Sequence, residues 1–144
     1  MHSRRSRQQG FTLMEIMVVI FIIGLLIALV APSVLGNQDK AMKQKVMADL
    51  SSLEQALDMY RLDNLRFPTT EQGLVALTSK PKVDPVPRSW RADGYIRRLP
   101  QDPWAGAYQY RVPGLHGRVD IYSLGADGVE GGEGMDADIG NWDL

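Results

Sequence analysis

The chain of 144 residues has no cysteine and only two histidines. Without cysteine it can form no disulfide, no cysteine-ligated zinc site and no thiol nucleophile. Its charges nearly balance, with 16 Lys and Arg against 17 Asp and Glu. No net field therefore draws the chain to nucleic acid, and we expect no nucleic-acid partner. The length suits one domain of ordinary size, whose loops must be fastened by something other than a disulfide.

The apolar residues are concentrated near the N-terminus. Residues 1–9 are polar and basic, whereas no charge occurs between Ile16 and Gln38. An apolar run of this length can cross the roughly 30 Å hydrocarbon core of a bilayer as a helix. Basic residues in front of such a run place the N-terminus in the cytoplasm and the rest of the chain outside. The run is too long for an ordinary cleaved signal peptide.

A single carboxylate stands at the edge of the apolar run. A charge such as Glu15 costs about 2.5–3.5 kcal/mol at the bilayer centre and less near the interface. A plain signal anchor would leave that cost uncompensated, because a buried carboxylate needs a paired cation. Glu15 therefore indicates a partner in the membrane or in an assembly.

The residues around this carboxylate form a motif. The segment Gly10-Phe11-Thr12-Leu13-Met14-Glu15 resembles the cleavage motif of type IV pilins and pseudopilins. The resemblance implies that a prepilin peptidase cuts between Gly10 and Phe11 and that the new N-terminus at Phe11 is methylated. It also implies that Glu15 faces this amine on a neighbouring subunit. The chain would then divide into a cleaved leader (1–10), a transmembrane and filament-core helix (11–35) and a periplasmic domain (36–144).

Residues 39–64 predict an amphipathic continuation of the same helix, ending near Asn64. Apolar residues recur there at spacings of four, three, four and three, as on one face of a helix. The residues of this face are Val46, Leu50, Leu53, Leu57 and Tyr60. We expect the face to pack on a sheet of the same domain. Pro32 removes a helical hydrogen bond, which predicts a kink or locally melted segment near residues 24–32.

The remainder predicts a small antiparallel sheet. Thr69 and Gln72 have the spacing of a capping box and predict the start of a short helix. Strands are predicted over residues 107–112 and 118–124, with a last strand or packed tail at Asn141-Trp142. In the second strand Val119, Ile121 and Ser123 are expected to share one face.

An acidic, glycine-rich segment covers residues 124–140. Its five carboxylates are Asp127, Glu130, Glu133, Asp136 and Asp138. Such a loop has many conformations to lose, and its charges repel one another. Calcium would relieve both problems, because it takes six to eight carboxylate and carbonyl oxygens in flexible geometry. The spacing is not that of an EF-hand, and a solvated acidic loop without metal remains the alternative.

One combination of residues invites a catalytic interpretation. His116, Asp120 and Ser123 are the residue types of a hydrolytic triad, but they lie on one short turn and strand and point to different faces. No oxyanion-loop motif accompanies them. We therefore expect that the protein is not an enzyme.

Three stretches together resemble the major pseudopilin family of type II secretion systems. They are residues 10–15, residues 68–74 with 97–104, and residues 120–142. The resemblance implies an α+β, type IV pilin-like fold, in which a long N-terminal helix, half transmembrane and half amphipathic, packs on a small antiparallel sheet with a C-terminal calcium loop. It assigns Ca²⁺ to side chains of Asp127 and of one or both of Asp136 and Asp138. Backbone carbonyls of Leu124 and Val129 complete the implied ligands.

The same resemblance implies a structural role. The chain would be the major subunit of a pseudopilus, a periplasmic homopolymer that helps drive folded exoproteins across the outer membrane. The implied partners are minor pseudopilins, the prepilin peptidase, and an inner-membrane assembly platform with its ATPase. The implied location is the inner membrane, with one pass and a periplasmic domain. Three alternatives stay open: a type IV pilin of a surface fibre, a minor tip-forming pseudopilin, and a membrane-tethered calcium-binding module.

Overall fold

The computed structural model describes residues 10–144, apart from the side chains of residues 31–35. Residues 1–9 of the predicted leader (1–10) and the side chain of Pro32 lie outside the described residues. Helix α1 spans Leu13–Asn64, and strands β1, β2 and β3 span Gln109–Arg111, Asp120–Ser123 and Ile139–Gly140. Short 3₁₀ helices cover Leu74–Leu77 and Asn141–Asp143.

Helix α1 has 52 residues and ends at Asn64, as the sequence predicts. It is continuous through residues 24–32 in this single chain. The structure thus shows no melted segment there in the single chain. The kink stays a prediction, which continuous helical hydrogen bonding in a filament reconstruction would refute.

The chain divides into two compact units, Met1–Gln38 and Asp39–Leu144. In the first unit, Leu13–Val30 is long and apolar enough to cross a membrane, with a mean hydropathy of 3.0 and none of it buried. The second unit has its own hydrophobic core. A long apolar helix and a small domain with its own core are what the predicted fold requires.

The core of the second unit is built on one face of α1. All five residues of the predicted face are fully buried, which confirms the periodicity: Val46, Leu50, Leu53, Leu57 and Tyr60. Tyr108, Val119, Ile121 and Ile139 of the sheet region belong to the same buried cluster. The amphipathic half of α1 therefore packs on the sheet.

The sheet is antiparallel, with the strand order β1-β2-β3. Tyr110 pairs with Ile121, and Ser123 pairs with Ile139. The strands are shorter than predicted, because the backbone pairing covers only the middle of each predicted segment. Val119, Ile121 and Ser123 are all buried, as expected.

The capping box after α1 is present, and the short helix that it was expected to start is a 3₁₀ helix. Thr69 and Gln72 exchange two hydrogen bonds of 3.1 Å between their side chains and backbone amides. Gly73 then has φ of 59°. This left-handed conformation interrupts an α-helix, so only a turn and the 3₁₀ helix Leu74–Leu77 follow.

Truncation on the two faces of α1 should have opposite consequences. Leu53 is fully buried, whereas Leu62 is 72% exposed. Leu53→Ala should lower the free energy of unfolding by about 2–5 kcal/mol, because it leaves a cavity in the core. The control Leu62→Ala should change it by less than about 0.5 kcal/mol. Urea unfolding followed by tryptophan fluorescence measures both, and equal effects would contradict the assigned core face.

Candidate functional site

The start of α1 is capped by the carboxylate that the sequence assigns to assembly. Glu15 Oε2 accepts hydrogen bonds from the backbone N–H of Thr12 at 2.8 Å and from its hydroxyl at 3.0 Å. The N–H of Glu15 donates to the Thr12 hydroxyl at 3.2 Å. This reciprocal pattern is a capping box. The sequence analysis missed it, although threonine followed three residues later by glutamate is its recognised signal.

The residues on both sides of the cap present apolar side chains to their surroundings. Phe11 is 84% exposed, Phe21 72% and Leu29 75%. Removing apolar surface from water is favourable by about 25 cal/mol of free energy per Å². An isolated helix of this kind is therefore unstable in water and requires a bilayer or the helices of other subunits.

The acidic loop between β2 and β3 folds back on itself. The N–H of Ala126 donates to the carbonyl of Met135 at 2.9 Å, and that of Asp138 donates to the carbonyl of Gly131 at 3.1 Å. Gly125 has φ of 70°, and a Cβ there would lie 2.7 Å from the carbonyl oxygen of Asp136. Only glycine fits this close crossing, which accounts for one of the many glycines in the segment.

The three candidate side-chain ligands differ in their surroundings. Asp127 is exposed, and its Oδ1 accepts the N–H of Val129 at 3.0 Å. Asp136 is exposed as well. Asp138 is half-buried, and its Oδ2 accepts the N–H of Gly131 at 3.0 Å. Its other oxygen, Oδ1, is buried and has no hydrogen-bond partner.

An orphaned buried carboxylate oxygen is costly unless a cation or water reaches it. Asp138 Oδ1 therefore fits a hard cation. Within residues 10–144, no three side chains of His, Asp or Glu gather closely enough to bind a metal by themselves. A cation in this loop would consequently need backbone carbonyls in addition to carboxylates, and calcium accepts such a mixture.

Two residues of the apparent triad are in contact, since His116 Nδ1 lies 3.3 Å from Asp120 Oδ2, but Ser123 has another partner. Asp120 Oδ2 accepts the N–H groups of Leu115 at 2.6 Å and His116 at 3.2 Å, and its Oδ1 accepts that of Gly117 at 3.2 Å. The Ser123 hydroxyl donates to Asp102 Oδ2 at 2.6 Å rather than to His116. Asp120 thus organises the turn before β2, and the nucleophile-to-base hydrogen bond of a triad is absent among these residues.

Comparison with known proteins gives a consistent result. The family model described as type II secretion system protein G matches residues 33–142, and the prokaryotic N-terminal methylation motif matches residues 5–31. The type II secretion system core protein G of Klebsiella michiganensis is 62% identical over 98% of this chain and 97% of its own length. The core protein G of Vibrio cholerae is 56% identical over 98% of this chain and 96% of its own length.

A solved structure agrees with these relatives. The crystal structure of the major pseudopilin from the type 2 secretion system of enterohaemorrhagic Escherichia coli matches with a TM-score of 0.70 and 64% identity. The match covers 76% of this chain and 94% of that chain. The fold of this chain is therefore similar to that of a major pseudopilin.

Asp120 should make the domain sensitive to acid. Burial raises its pKa, but hydrogen bonds from Leu115 and His116 outweigh burial, so that the pKa lies below its ordinary value. A carboxyl group with a lowered folded-state pKa stabilises the fold above its unfolded pKa of about 3.9. That contribution disappears as the pH falls through the folded-state pKa.

Asp120→Asn should therefore lower the free energy of unfolding by about 1–3 kcal/mol at pH 7. The difference from wild type should shrink in urea unfolding at about pH 3, below the unfolded pKa. Asp58→Asn, at an exposed position on α1, is the control and should stay within about 0.5 kcal/mol at either pH. A deficit of equal size at both pH values would show that the charge of Asp120 contributes nothing.

Proposed function

This chain belongs to the protein G family of the type II secretion system, and on that basis we propose that it works as the major pseudopilin of its system. It is a structural subunit that polymerises into a periplasmic pseudopilus, which helps drive folded exoproteins across the outer membrane. The observation that carries this function is the fully exposed apolar helix Leu13–Val30 on a chain that matches the family along almost its whole length. The family match and the similar pseudopilin structure support a structural subunit rather than an enzyme.

The relatives favour this function over the alternatives. Nearly full-length relatives are named core protein G, and the similar solved structure is that of a major pseudopilin. A surface-fibre pilin, a minor tip subunit or a membrane-tethered calcium module would be expected to resemble other proteins. The family also supports assembly with other type II secretion components. We assign these as minor pseudopilins, an inner-membrane platform and its ATPase.

The N-terminus supports a precursor that is processed and methylated. The methylation-motif match over residues 5–31 includes the junction between Gly10 and Phe11. We assign cleavage at this junction to a prepilin peptidase, with N-methylation of Phe11. The basic leader orients the helix with its N-terminus in the cytoplasm and the domain in the periplasm. Before assembly the subunit thus resides in the inner membrane, with a single pass.

Glu15 is assigned the role of pairing with the amine of Phe11 on a neighbouring subunit. In the single chain its carboxylate is held at the helix start by the bonds to Thr12. An apolar filament core is a medium of low dielectric, where an opposite charge compensates the buried carboxylate. Capping and charge pairing are separable, because glutamine also serves in a capping box.

Glu15→Gln should therefore abolish filament formation as fully as Glu15→Ala, since losing one partner of a buried charge pair costs about 3–5 kcal/mol. The control Thr12→Val removes the hydroxyl of the cap but keeps the charge, and should assemble. Filaments are counted by electron microscopy, while membrane fractionation and the N-terminal peptide mass show that insertion and processing are normal. Assembly of Glu15→Gln at the wild-type level would contradict the charge pair.

We also assign calcium to the acidic loop. Asp127 and Asp138 would supply side-chain oxygens, and Leu124 and Val129 would supply backbone carbonyls. Asp138 is preferred over Asp136, because its buried Oδ1 has no hydrogen-bond partner. When bound, calcium would neutralise the carboxylates and join distant parts of a loop that no disulfide can fasten. The residues of the loop contribute preorganisation, since the pairs 126–135 and 131–138 already draw it together.

Chelation should lower the melting temperature of the full chain in detergent by about 10 °C relative to saturating calcium. The reason is that calcium at a concentration of a hundred times its Kd adds about 2.7 kcal/mol to the free energy of unfolding. Asp127→Ala and Asp138→Ala should abolish this difference, whereas Asp136→Ala should retain most of it. Glu133→Ala removes one charge from the same loop and is the matched control, with the wild-type response. If the melting temperature of wild type is the same in calcium and in chelator, the loop is a solvated acidic segment without a metal site.

A further inference from the structure

Asp102 is a buried carboxylate outside the acidic loop. It is 6% exposed. Its Oδ1 accepts the backbone N–H groups of Trp104 at 3.0 Å and Gly106 at 2.6 Å. A Cβ at Gly106 would lie 2.7 Å from Asp102 Oδ2, so the turn closes tightly around the carboxylate. These contacts hold Asp102 as a rigid hydrogen-bond acceptor.

The remaining oxygen of Asp102 binds the last residue of β2. Ser123 is fully buried, and its hydroxyl donates to Asp102 Oδ2 at 2.6 Å. A hydroxyl has one proton and two lone pairs, and an ionised carboxylate can only accept. The proton of Ser123 is therefore committed to Asp102, and its lone pairs face other donors. One such donor is the N–H of Gly125, at 3.3 Å.

This last hydrogen bond determines how one peptide group of the loop is oriented. The N–H of Gly125 and the carbonyl of Leu124 belong to the same planar trans peptide, in which they point in opposite directions. Holding the N–H toward Ser123 turns the Leu124 carbonyl oxygen away from it. Leu124 and Asp127, a candidate side-chain ligand, line one cavity together with Asp102 and Trp104.

We propose that Asp102 and Ser123 are positioning residues of the calcium loop. Through the N–H of Gly125 they orient the Leu124 carbonyl as a metal ligand before calcium binds. The inference rests on the calcium site proposed above, which does not itself require these residues. Neither residue is among the ligands assigned to calcium, and their role would be to remove the rotational freedom of one ligand-bearing peptide.

Ser123→Ala tests the inference in the full chain in detergent. The variant should raise the Kd for calcium, measured by isothermal titration calorimetry, by about tenfold or more, as loss of outer-shell partners does. Ser123→Ala also leaves a buried oxygen of Asp102 without its partner, which could lower the stability of the fold by itself. Asp102→Asn is therefore the second variant. Asparagine keeps an oxygen for the N–H groups of Trp104 and Gly106 but replaces the acceptor of the Ser123 proton, so calcium binding should weaken as well.

Tyr122→Phe is the matched control. It removes a hydrogen bond of 3.1 Å to Glu130, which also joins β2 to the loop, but it leaves the Leu124 peptide untouched. Its Kd should equal that of wild type. The melting temperature in chelator reports the stability of each variant without metal. It therefore distinguishes a loss of calcium affinity from a loss of fold stability.

Two results would overturn the inference, and they are distinguishable. If wild type binds calcium and both variants bind it equally well, with melting temperatures lowered by the same amount in calcium and in chelator, Asp102 and Ser123 are structural only. If wild type does not bind calcium, the calcium loop itself is refuted and the inference with it.

Discussion

The burial of one face of α1 is the interaction on which the unit Asp39–Leu144 depends. Leu50, Leu53 and Leu57 are fully buried, and the sheet that covers them has three strands of two to four residues. Strands this short are not stable in water without a packed face. Two polar contacts fasten the sheet region to α1: the Tyr108 hydroxyl donates to Asp49 at 2.8 Å, and the Asn141 amide donates to Glu54 at 2.7 Å. The helix is therefore the support for every later element.

Away from this core, the C-terminal region is organised by polar and aromatic contacts. The ring of His116 stacks on that of Trp142 with centroids 3.9 Å apart, which joins the turn before β2 to the tail after β3. Asp102 binds Ser123, and Tyr122 binds Glu130. In a chain without disulfides, such contacts hold the ends of the acidic loop, while its centre has little apolar burial to stabilise it. That imbalance is the physical reason for assigning a cation to the loop.

Features with a local or periodic signature could be predicted from the sequence. The spacing from Val46 to Tyr60 identified the buried face, because helical periodicity is visible in one segment. The bonds between Thr69 and Gln72 were predicted from the same kind of signal. The short helix after them is a 3₁₀ helix, because the conformation of Gly73 interrupts an α-helix. The capping role of Glu15 was missed because its charge was considered and its spacing from Thr12 was not. The strands were predicted too long, since alternation does not show where backbone pairing stops.

The sequence by itself predicted the apolar run near the N-terminus and the core face of α1, and the structure confirms both. The cleavage junction after Gly10 and the calcium loop stay predictions. These depend on composition and short-range spacing. Only the tertiary structure decided that Asp138, rather than Asp136, has a buried oxygen without a hydrogen-bond partner. It also decided that Ser123 binds Asp102, 21 residues away, instead of His116. Such pairings depend on the register of β2 and on the turn at Gly106, which set distances between segments far apart in the chain.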